Sequence, residues 1–401
     1  MNILIIPSWY PYPQFPYSGI FVQQQASALA KNFPNDRFII SSHCPYEFLI
    51  SPRNILNAIH KLNVFYSQKK TSPIITEKQN NFVEISTPSL TWSEHFLYGN
   101  LNGIRKAHLK NLNYIQQKFG TIDLIHAHVT WPAGHIGWYL AQLLEIPFII
   151  TEHMGPFPFP NKAFITNKGQ LTPLLEKPLN QANSVVAVSE SLAKRIRALG
   201  IKRVEVIPNI VDETLFIPKE KQPSDQFQFL CVAHLSPSKG IDDLLIALAK
   251  VITQAPHVRL QLIGGGMINQ YKHKAESLKI DRFINFIGPL PHSETISFYQ
   301  STDAFVLPSY SETFGISYIE ALACGKPIIA TRCGGPEDIV TKTNGVLVDI
   351  GQPDQLAQAM LTMINQYKSY SSKQIRQDCL QRFSTSHIAQ ELMNLYLRLR
   401  R

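Results

Sequence analysis

The stretch SETFGISYIEALACGKPIIAT, residues 311–331, places Glu312 and Glu320 on either side of a glycine and follows them with an apolar strand. If all the steps between the two glutamates were helical, their carboxylates would lie about 12 Å apart along the axis, too far to share one small group. Gly315 favours a break at which the chain turns into a helix. We therefore expect Glu312 in a loop and Glu320 about one turn inside a helix.

The start of that helix is a candidate binding site for an anion or a hydroxyl-rich ring. The amides near Phe314, Gly315 and Ile316 have no acceptor within the helix and carry a partial positive charge. A carboxylate on either side can accept hydrogen bonds from sugar or ribose hydroxyls. Two glutamates around a helix start can also be a capping acid and a solvated surface acid, so the wider context has to decide.

Short apolar runs alternate with helical stretches along the whole chain, which is typical of parallel sheets with crossover helices. Prolines interrupt this pattern in IPNIVDETLFIPKEKQPSDQ, residues 207–226, ahead of a fresh strand. The fold class is therefore α/β with two doubly wound units. We predict strands at residues 3–6, 38–41, 82–86, 124–127, 148–151, 185–188 and 204–207, and then at 229–232, 259–263, 284–287, 304–307, 328–330 and 345–348. Residues 44–81 show too little periodicity for a prediction.

The region around the two glutamates resembles the E-x7-E motif of the retaining glycosyltransferases of family 4. The flanks YQSTDAFVLPSYSETFG and GKPIIATRCGGPEDIV extend the likeness over about 40 residues, and PNIVDETLF is similar to the interdomain segment of the family. The resemblance implies the GT-B fold, in which two Rossmann-like domains face each other across a cleft. It assigns residues 1–208 to the acceptor-side domain, 209–383 to the nucleotide-sugar domain, and 384–401 to a helix that packs back on the first domain.

The resemblance implies an enzyme that transfers a sugar from a nucleotide-diphosphate sugar to a glycan or lipid-linked acceptor, with retention of configuration. In the family the first glutamate, here Glu312, contacts the transferred sugar, and the second, Glu320, holds the ribose. Lys239, in FLCVAHLSPSKGIDDLL, matches the lysine that clamps the donor diphosphate. His234 stands where relatives usually have arginine, and histidine has neither the bidentate fork nor the permanent charge of arginine.

Two glycine loops of the second domain are further candidates for the donor site. In LIGGGM, Gly264 and Gly265 would let bare backbone approach a phosphate or sugar, although tight strand-to-helix turns use the same residues. In the loop Gly288–Leu290, the position of Leu290 matches backbone that faces the nucleotide base in the family.

The first domain offers a second set of candidates. The segment DLIHAHVTWPAGHIG resembles a region of the family from which His128 is identified as the histidine beside the transferred sugar, while we expect His126 to pack in the interior. Gly19 lies in a loop similar to the one that closes over the donor in relatives. Glu152 and His153 end another strand. A general-base role for Glu152 is open, and a supporting contact to His128 is the preferred interpretation.

No D-x-D sequence suggests a metal-bound diphosphate, so we expect no metal ion and no cofactor. The predicted reaction is front-face transfer, with Lys239 and helix-end amides stabilising the leaving diphosphate. A phosphorylase is disfavoured because no context for a pyridoxal-binding lysine is found. A sugar-nucleotide epimerase and a non-catalytic sugar-nucleotide-binding protein remain alternatives, the second because His234 departs from the family pattern.

Residues 1–205 carry 19 Lys and Arg against 11 Asp and Glu, so nearly all of the net charge of +9 belongs to this half. A basic half attracts anionic partners such as an anionic membrane surface or lipid-linked acceptors, although a merely solvated surface is an equal alternative. Nucleic acid is not expected, because no known nucleic-acid-binding motif occurs.

Neither a leader nor an apolar run of about 18 residues is seen. We expect a cytoplasmic protein, with peripheral attachment to the inner face of the membrane as an extension. The basic side chains of residues 1–205 include Arg105, Lys106 and Lys110 in a predicted helix and Lys69 and Lys70 in a loop. The five cysteines are scattered without C-x-x-C pairs or metal spacing, so we expect reduced thiols; they are Cys44, Cys231, Cys324, Cys333 and Cys379.

Overall fold

The computed structural model describes residues 1–12, 18–43, 45–47, 55–67, 73–92 and 97–400. It divides the chain into two compact units. Unit 1 comprises Met1–Val188, Ala193–Ile207 and Ala389–Arg401, and unit 2 comprises Ser189–Leu192 and Pro208–Ile388. The predictions made for Cys44, Lys69 and Lys70 lie outside the described residues.

A twisted parallel sheet forms the centre of unit 1. Its strands are β1 (Asn2–Pro7), β2 (Arg37–Ser42), β4 (Ile74–Gln79), β5 (Phe82–Ser86), β7 (Leu124–His128), β8 (Phe148–Glu152), β9 (Ser184–Ala187) and β10 (Val204–Val206), while β3 (Pro45–Glu47) pairs separately with β6 (Ser89–Thr91). The order in the large sheet is β10-β9-β8-β7-β1-β2-β5-β4, and only β4 is antiparallel to its neighbour in the described part. Ile3–Ile6 are at most 1% exposed. Strands covered on both faces read as unbroken apolar runs, which is why the sequence predicts them.

Helices alternate with the strands of this sheet along the chain. Those of the first part of the chain are α1 (Ile20–Asn32), α2 (Ile55–Ser67), α3 (Leu101–Phe119), α4 (His135–Leu144), α5 (Pro173–Gln181) and α6 (Glu190–Ala198), and α14 (Thr385–Leu399) adds its second half to unit 1. The Tyr396 hydroxyl of α14 lies 2.7 Å from Nδ1 of His126 in β7. This hydrogen bond attaches the end of the chain to the interior of unit 1.

Unit 2 is built on a second, wholly parallel sheet. Its strands are β11 (Phe227–Val232), β12 (Val258–Ile263), β13 (Ile284–Gly288), β14 (Ala304–Leu307), β15 (Ile328–Thr331) and β16 (Gly345–Val348), in the order β13-β12-β11-β14-β15-β16. The helices are α7 (Ile241–Val251), α8 (Ile268–Ser277), α9 (His292–Ser301), α10 (Ile316–Ala323), α11 (Pro336–Ile339), α12 (Pro353–Gln366) and α13 (Ser372–Phe383). The sheet positions predicted from the sequence match these strands to within about two residues.

Strand β4 lies at the edge of the sheet of unit 1, within residues 44–81, for which the sequence allowed no prediction. All six of its residues are exposed, so neither face carries the apolar signal of a buried strand. Only its antiparallel pairing with β5 defines it. Such a strand is specified by its neighbour and not by its own composition.

Helix α14 begins in unit 2, to which residues 384–388 belong, and the domain bounds 1–208, 209–383 and 384–401 stay a prediction. The amide of Val211 donates to the carbonyl of Phe383, and the Thr385 hydroxyl donates to the Glu213 carboxylate at 2.8 Å. These bonds hold the first turn of α14 to unit 2, while Ala389–Arg401 belong to unit 1.

Candidate active site

The two glutamates of the E-x7-E segment lie as the sequence predicts. Glu312 is in the loop after β14, and Glu320 is the fifth residue of α10, which begins at Ile316. Gly315 precedes the helix with φ of 105°, and a Cβ there would meet the Tyr318 ring at 2.4 Å, so a side chain would be both strained and crowded. Among the described residues, no side chain caps this helix start, and the Tyr318 amide donates to the Gly315 carbonyl at 3.1 Å. The preceding amides are therefore candidates to bind a ligand.

Lys239 and Glu312 form an ion pair in unit 2. The Lys239 ammonium lies 2.7 Å from Oε1 of Glu312, and the Ser309 hydroxyl donates to the same oxygen at 2.8 Å. Strands β11 and β14 are neighbours in the sheet, so the loops that leave their carboxyl ends are adjacent. The Tyr310 amide also donates to the carbonyl of Ser238, which ties these two loops together. The pair therefore follows from sheet order, which brings distant parts of the chain to one edge.

Glu320 has a partner that the sequence analysis missed. Nε2 of His292 lies 2.6 Å from Oε1 of Glu320, and the Glu320 side chain is only 7% exposed. The hydrogen bond to Glu320 raises the pKa of His292 above its ordinary value, while burial acts in the opposite direction. The available signal was position: His292 begins α9, directly after the loop predicted to face the base.

The glycine triplet after β12 allows two backbones to approach. Gly264 has φ of 142°, and a Cβ there would lie 1.8 Å from the Ala233 carbonyl oxygen. The Leu235 amide donates to the Gly265 carbonyl at 2.7 Å, so the loops after β11 and β12 are bonded. His234 is exposed beside this contact. Close packing of the loops explains Gly264 without a ligand, and a role of Gly264, Gly265 and His234 in donor binding stays a prediction.

Two more residues of the predicted donor site differ in how they can act. The side chain of Phe314 is buried and lies with its ring 5.7 Å from that of Phe383, so only its backbone is available to a ligand. Leu290 is partly exposed in the loop after β13. Both arrangements agree with the expectation that these positions act through the main chain.

In unit 1, His128 ends β7 in a stack of imidazoles. Its Nδ1 lies 3.0 Å from Nε2 of His153, and its ring centre lies 4.2 Å from that of His126. His128 is 1% exposed. Burial, and then the neighbouring His126 and His153, hold the pKa of His128 well below its usual value. The ring is therefore neutral at pH 7 and can act by hydrogen bonding but not as a cation. Gly19 precedes α1, and the ring of Phe21, the second residue of that helix, lies 4.5 Å from that of His153.

Glu152 does not contact the His128 ring; His153 has that place. Oε2 of Glu152 accepts from the amide and hydroxyl of Thr130, and Oε1 accepts from the amides of His153 and Met154. Burial raises the pKa of Glu152, and these hydrogen bonds lower it in part. The carboxylate is fully buried, and its hydrogen bonds connect the loops after β7 and β8. A general-base role for Glu152 stays a prediction.

The loop that Glu152 holds is strained. Val129, directly after His128, has φ of 72°, which is unfavourable for a β-branched residue. Its amide donates to the Thr151 carbonyl at 2.7 Å, and its carbonyl accepts from the Gly134 amide. Strain that the surroundings enforce is concentrated at functional sites in many proteins. The residue types around Val129 do not predict this backbone strain, so only the structure reveals it.

Two family models match consecutive parts of this chain. "Glycosyltransferase Family 4" matches residues 60–215, and "Glycosyl transferases group 1" matches residues 212–377, the part that contains Lys239, Glu312 and Glu320. The chain belongs to the family 4, group 1 glycosyltransferases. The family membership inferred from the E-x7-E region is confirmed.

Several curated relatives and solved structures resemble this family 4 glycosyltransferase. The D-inositol 3-phosphate glycosyltransferase of Corynebacterium glutamicum (strain R) is 28% identical over 63% of this chain and 66% of its own length, and that of Segniliparus rotundus is 30% identical over 58% and 56%. These matches thus span less than two thirds of each relative. Sucrose-phosphate synthase from Thermosynechococcus elongatus has a TM-score of 0.75 at 21% identity, covering 100% of this chain and 99% of that one. Anabaena Alr3699/HepE in complex with UDP-glucose has a TM-score of 0.68 at 19% identity, with 100% of both chains covered. These structures confirm the predicted GT-B fold class.

Proposed function

We propose that this chain transfers a sugar from a nucleotide-diphosphate sugar to a glycan or lipid-linked acceptor, with retention of configuration. The observation that carries the proposal is the contact between Lys239 and Glu312, two residues that the family resemblance assigns separately to the diphosphate and the sugar. Their meeting at one edge of the sheet supports a common binding site. Family membership and the UDP-glucose complex of HepE support the donor class.

Each residue of unit 2 then has a distinct task. The Lys239 ammonium has three N–H donors, and Glu312 is its hydrogen-bond acceptor among the described residues; in the proposal the remaining donors bind the diphosphate and neutralise the charge that develops as the C1–O bond breaks. Glu312 accepts from sugar hydroxyls and stabilises positive charge on the ring. Glu320 accepts from the ribose, and the uncapped amides at Phe314–Ile316 bind diphosphate oxygens. His234 donates a weaker hydrogen bond to a phosphate where relatives use arginine.

For unit 1 the proposal follows the resemblance. Neutral His128 hydrogen-bonds a hydroxyl of the transferred sugar, and His153 fixes the orientation of its ring. Gly19 lets its loop approach the diphosphate. We find no group of three or more His, Cys, Asp or Glu side chains in the described residues that could hold a metal. In the proposed reaction, Lys239 and the amides at the start of α10 neutralise the charge of the leaving diphosphate.

A cytoplasmic location with peripheral attachment to an anionic membrane surface is a further part of the proposal. None of the described helices is both long and apolar enough to span a bilayer. Support for attachment comes from the basic charge of residues 1–205 and from α2, where Leu56 is 83% and Ile59 50% exposed. Exposed apolar side chains one turn apart on a basic unit suit the surface of an anionic bilayer.

The function is tested by incubating the protein with radiolabelled UDP-, GDP- and ADP-sugars and separating the products. Slow hydrolysis of one donor, abolished by Glu312→Gln, is the expected result. Interconversion of the sugar would instead indicate an epimerase, and binding without any turnover would indicate a sugar-nucleotide-binding protein.

A further inference from the structure

We propose that His292 is a positioning residue that fixes the Glu320 carboxylate for the ribose hydroxyls of the donor and makes donor affinity depend on pH. This inference rests on the proposed function, since it takes Glu320 to be the ribose acceptor. Neither the E-x7-E motif nor any loop singled out in the sequence includes His292.

The contact is short and protected. Nε2 of His292 lies 2.6 Å from Oε1 of Glu320, and the two side chains are 26% and 7% exposed. The bond is made to Oε1, and the buried Tyr299 also interacts with the Glu320 carboxylate, so in the proposal Oε2 is the oxygen that accepts from a ligand hydroxyl. A carboxylate that is held at one oxygen presents the other in a defined direction, which a freely rotating carboxylate does not.

Burial makes such a partner necessary. A carboxylate removed from water without a partner loses solvation and tends to take up a proton, which would turn an acceptor oxygen into a donor. The imidazole supplies an N–H at all relevant pH values and a full positive charge when protonated. His292 thus supplies a hydrogen-bond donor to Glu320 although the Glu320 side chain is almost inaccessible to solvent.

The residues around His292 also favour its protonated form. Asp212 adds to the effect of Glu320 in raising the pKa of His292. The Phe216 ring lies 5.4 Å from the imidazole and restricts its rotation. Tyr299, on the same helix and next to Phe216, is buried and neutral, because burial raises its pKa well above the usual value. No group among these opposes a positive charge on His292.

His292 also joins two parts of the proposed donor site. It is the first residue of α9 and follows the loop Gly288–Leu290, which we expect to face the base, by two positions. Glu320 is on α10 and is expected to hold the ribose. A single side chain therefore connects the two elements that would bind the nucleoside.

The direction of the pH effect follows from the raised pKa of His292. The ion pair between His292 and Glu320 is fully formed below about pH 6.5, the ordinary pKa of histidine. It is lost as the pH rises through the raised pKa of His292. Above it only a neutral hydrogen bond holds Glu320. Donor affinity should therefore fall with rising pH in this window.

The test is calorimetric titration of UDP, GDP and ADP into wild-type protein, His292→Ala and His292→Gln between pH 6 and 9. We expect His292→Ala to weaken binding of the preferred nucleotide about tenfold, as loss of a charged hydrogen bond does, with His292→Gln between the two. The pH dependence should vanish in His292→Gln. In turnover assays the KM for the donor should rise more than kcat falls. His273→Ala is the matched control, because its imidazole also faces a glutamate, Glu276, but is 80% exposed.

Wild-type affinity and an unchanged pH profile in His292→Gln would overturn the inference. If His292→Ala unfolds, as melting temperature will show, His292→Gln decides, since its amide can still donate to Glu320. Failure of the wild-type protein to bind any of the three nucleotides would instead contradict the proposed function itself.

Discussion

The ammonium of Lys239 lies 2.7 Å from Oε1 of Glu312, although the two residues are 73 positions apart in the chain. Their side chains are 25% and 11% exposed, so the pair is partly shielded from solvent. The lysine is thereby held at one carboxylate oxygen while its other N–H groups stay available. This relationship combines a cation for the diphosphate with an acceptor for the sugar.

Replacing either member of this pair should lower transfer strongly. We expect Lys239→Ala and Glu312→Gln each to reduce kcat about 100-fold or more, because each removes stabilisation of charge that develops in the transition state. Donor turnover with a radiolabelled sugar nucleotide measures the effect. Lys250→Ala is the matched control, since Lys250 pairs with Asp354 at an exposed site, where ion pairs contribute little. Near-normal turnover in either variant would contradict the assigned role.

Ser309 should act through Glu312. Its buried hydroxyl donates to Oε1 of Glu312 at 2.8 Å, so Ser309→Ala removes one of the two donors that hold this oxygen. We expect kcat to fall about tenfold, which corresponds to one hydrogen bond to a charged group, with little change in the KM for the donor. Ser309→Thr keeps the hydroxyl and should recover part of the activity. Equal activity of the alanine variant and the wild type would exclude this positioning role.

Glu152 should matter for stability and for the loop that follows His128. All four of its hydrogen-bond partners are donors, so Glu152→Gln would turn an amide NH2 toward at least one of them. We expect the variant to lose about 1–3 kcal/mol of unfolding free energy. Urea denaturation followed by circular dichroism measures this loss. An exposed acid, Glu276, supplies the control Glu276→Gln, which should unfold like the wild type.

Acid should destabilise unit 1 through its buried histidines. Burial lowers the pKa of His43 to about 4 and that of His126 to about 3. Below about pH 6.5 these histidines bind protons in the unfolded chain but stay neutral in the native protein. The free energy of unfolding therefore falls as the pH falls. Each should cost about 2 kcal/mol at pH 5. Denaturation at pH 7 and pH 5 should show a smaller acid loss for His43→Asn, whereas His273→Asn should match the wild type. An acid loss unchanged in His43→Asn would refute this assignment.

Membrane attachment should depend on α2. Vesicle flotation with anionic lipid is expected to carry the wild-type protein, and Leu56→Asp with Ile59→Asp should leave it at the bottom, because charged side chains do not enter the acyl boundary. Leu143→Asp is the control, since Leu143 is 57% exposed on α4 of the same unit. Failure of the wild-type protein to float with anionic vesicles removes the proposed attachment.

The sequence determined the regular framework because that framework leaves local traces. Buried parallel strands such as Ile3–Ile6 read as unbroken apolar runs. Gly315 marked the start of α10, since a backbone with positive φ favours glycine. The spacing of Glu312 and Glu320, with its flanks, was sufficient to indicate the family. Each of these signals lies within one short stretch of chain.

Tertiary structure alone decided which side chains meet. The contacts of Lys239 with Glu312, of His292 with Glu320 and of His128 with His153 join residues 73, 28 and 25 positions apart. They arise from the order of strands in the sheets, which no local pattern encodes. The same holds for the strain at Val129 and for edge strand β4, because both are imposed by neighbouring segments and not by their own residues. Composition specifies what a segment tends to become, whereas packing specifies what it touches.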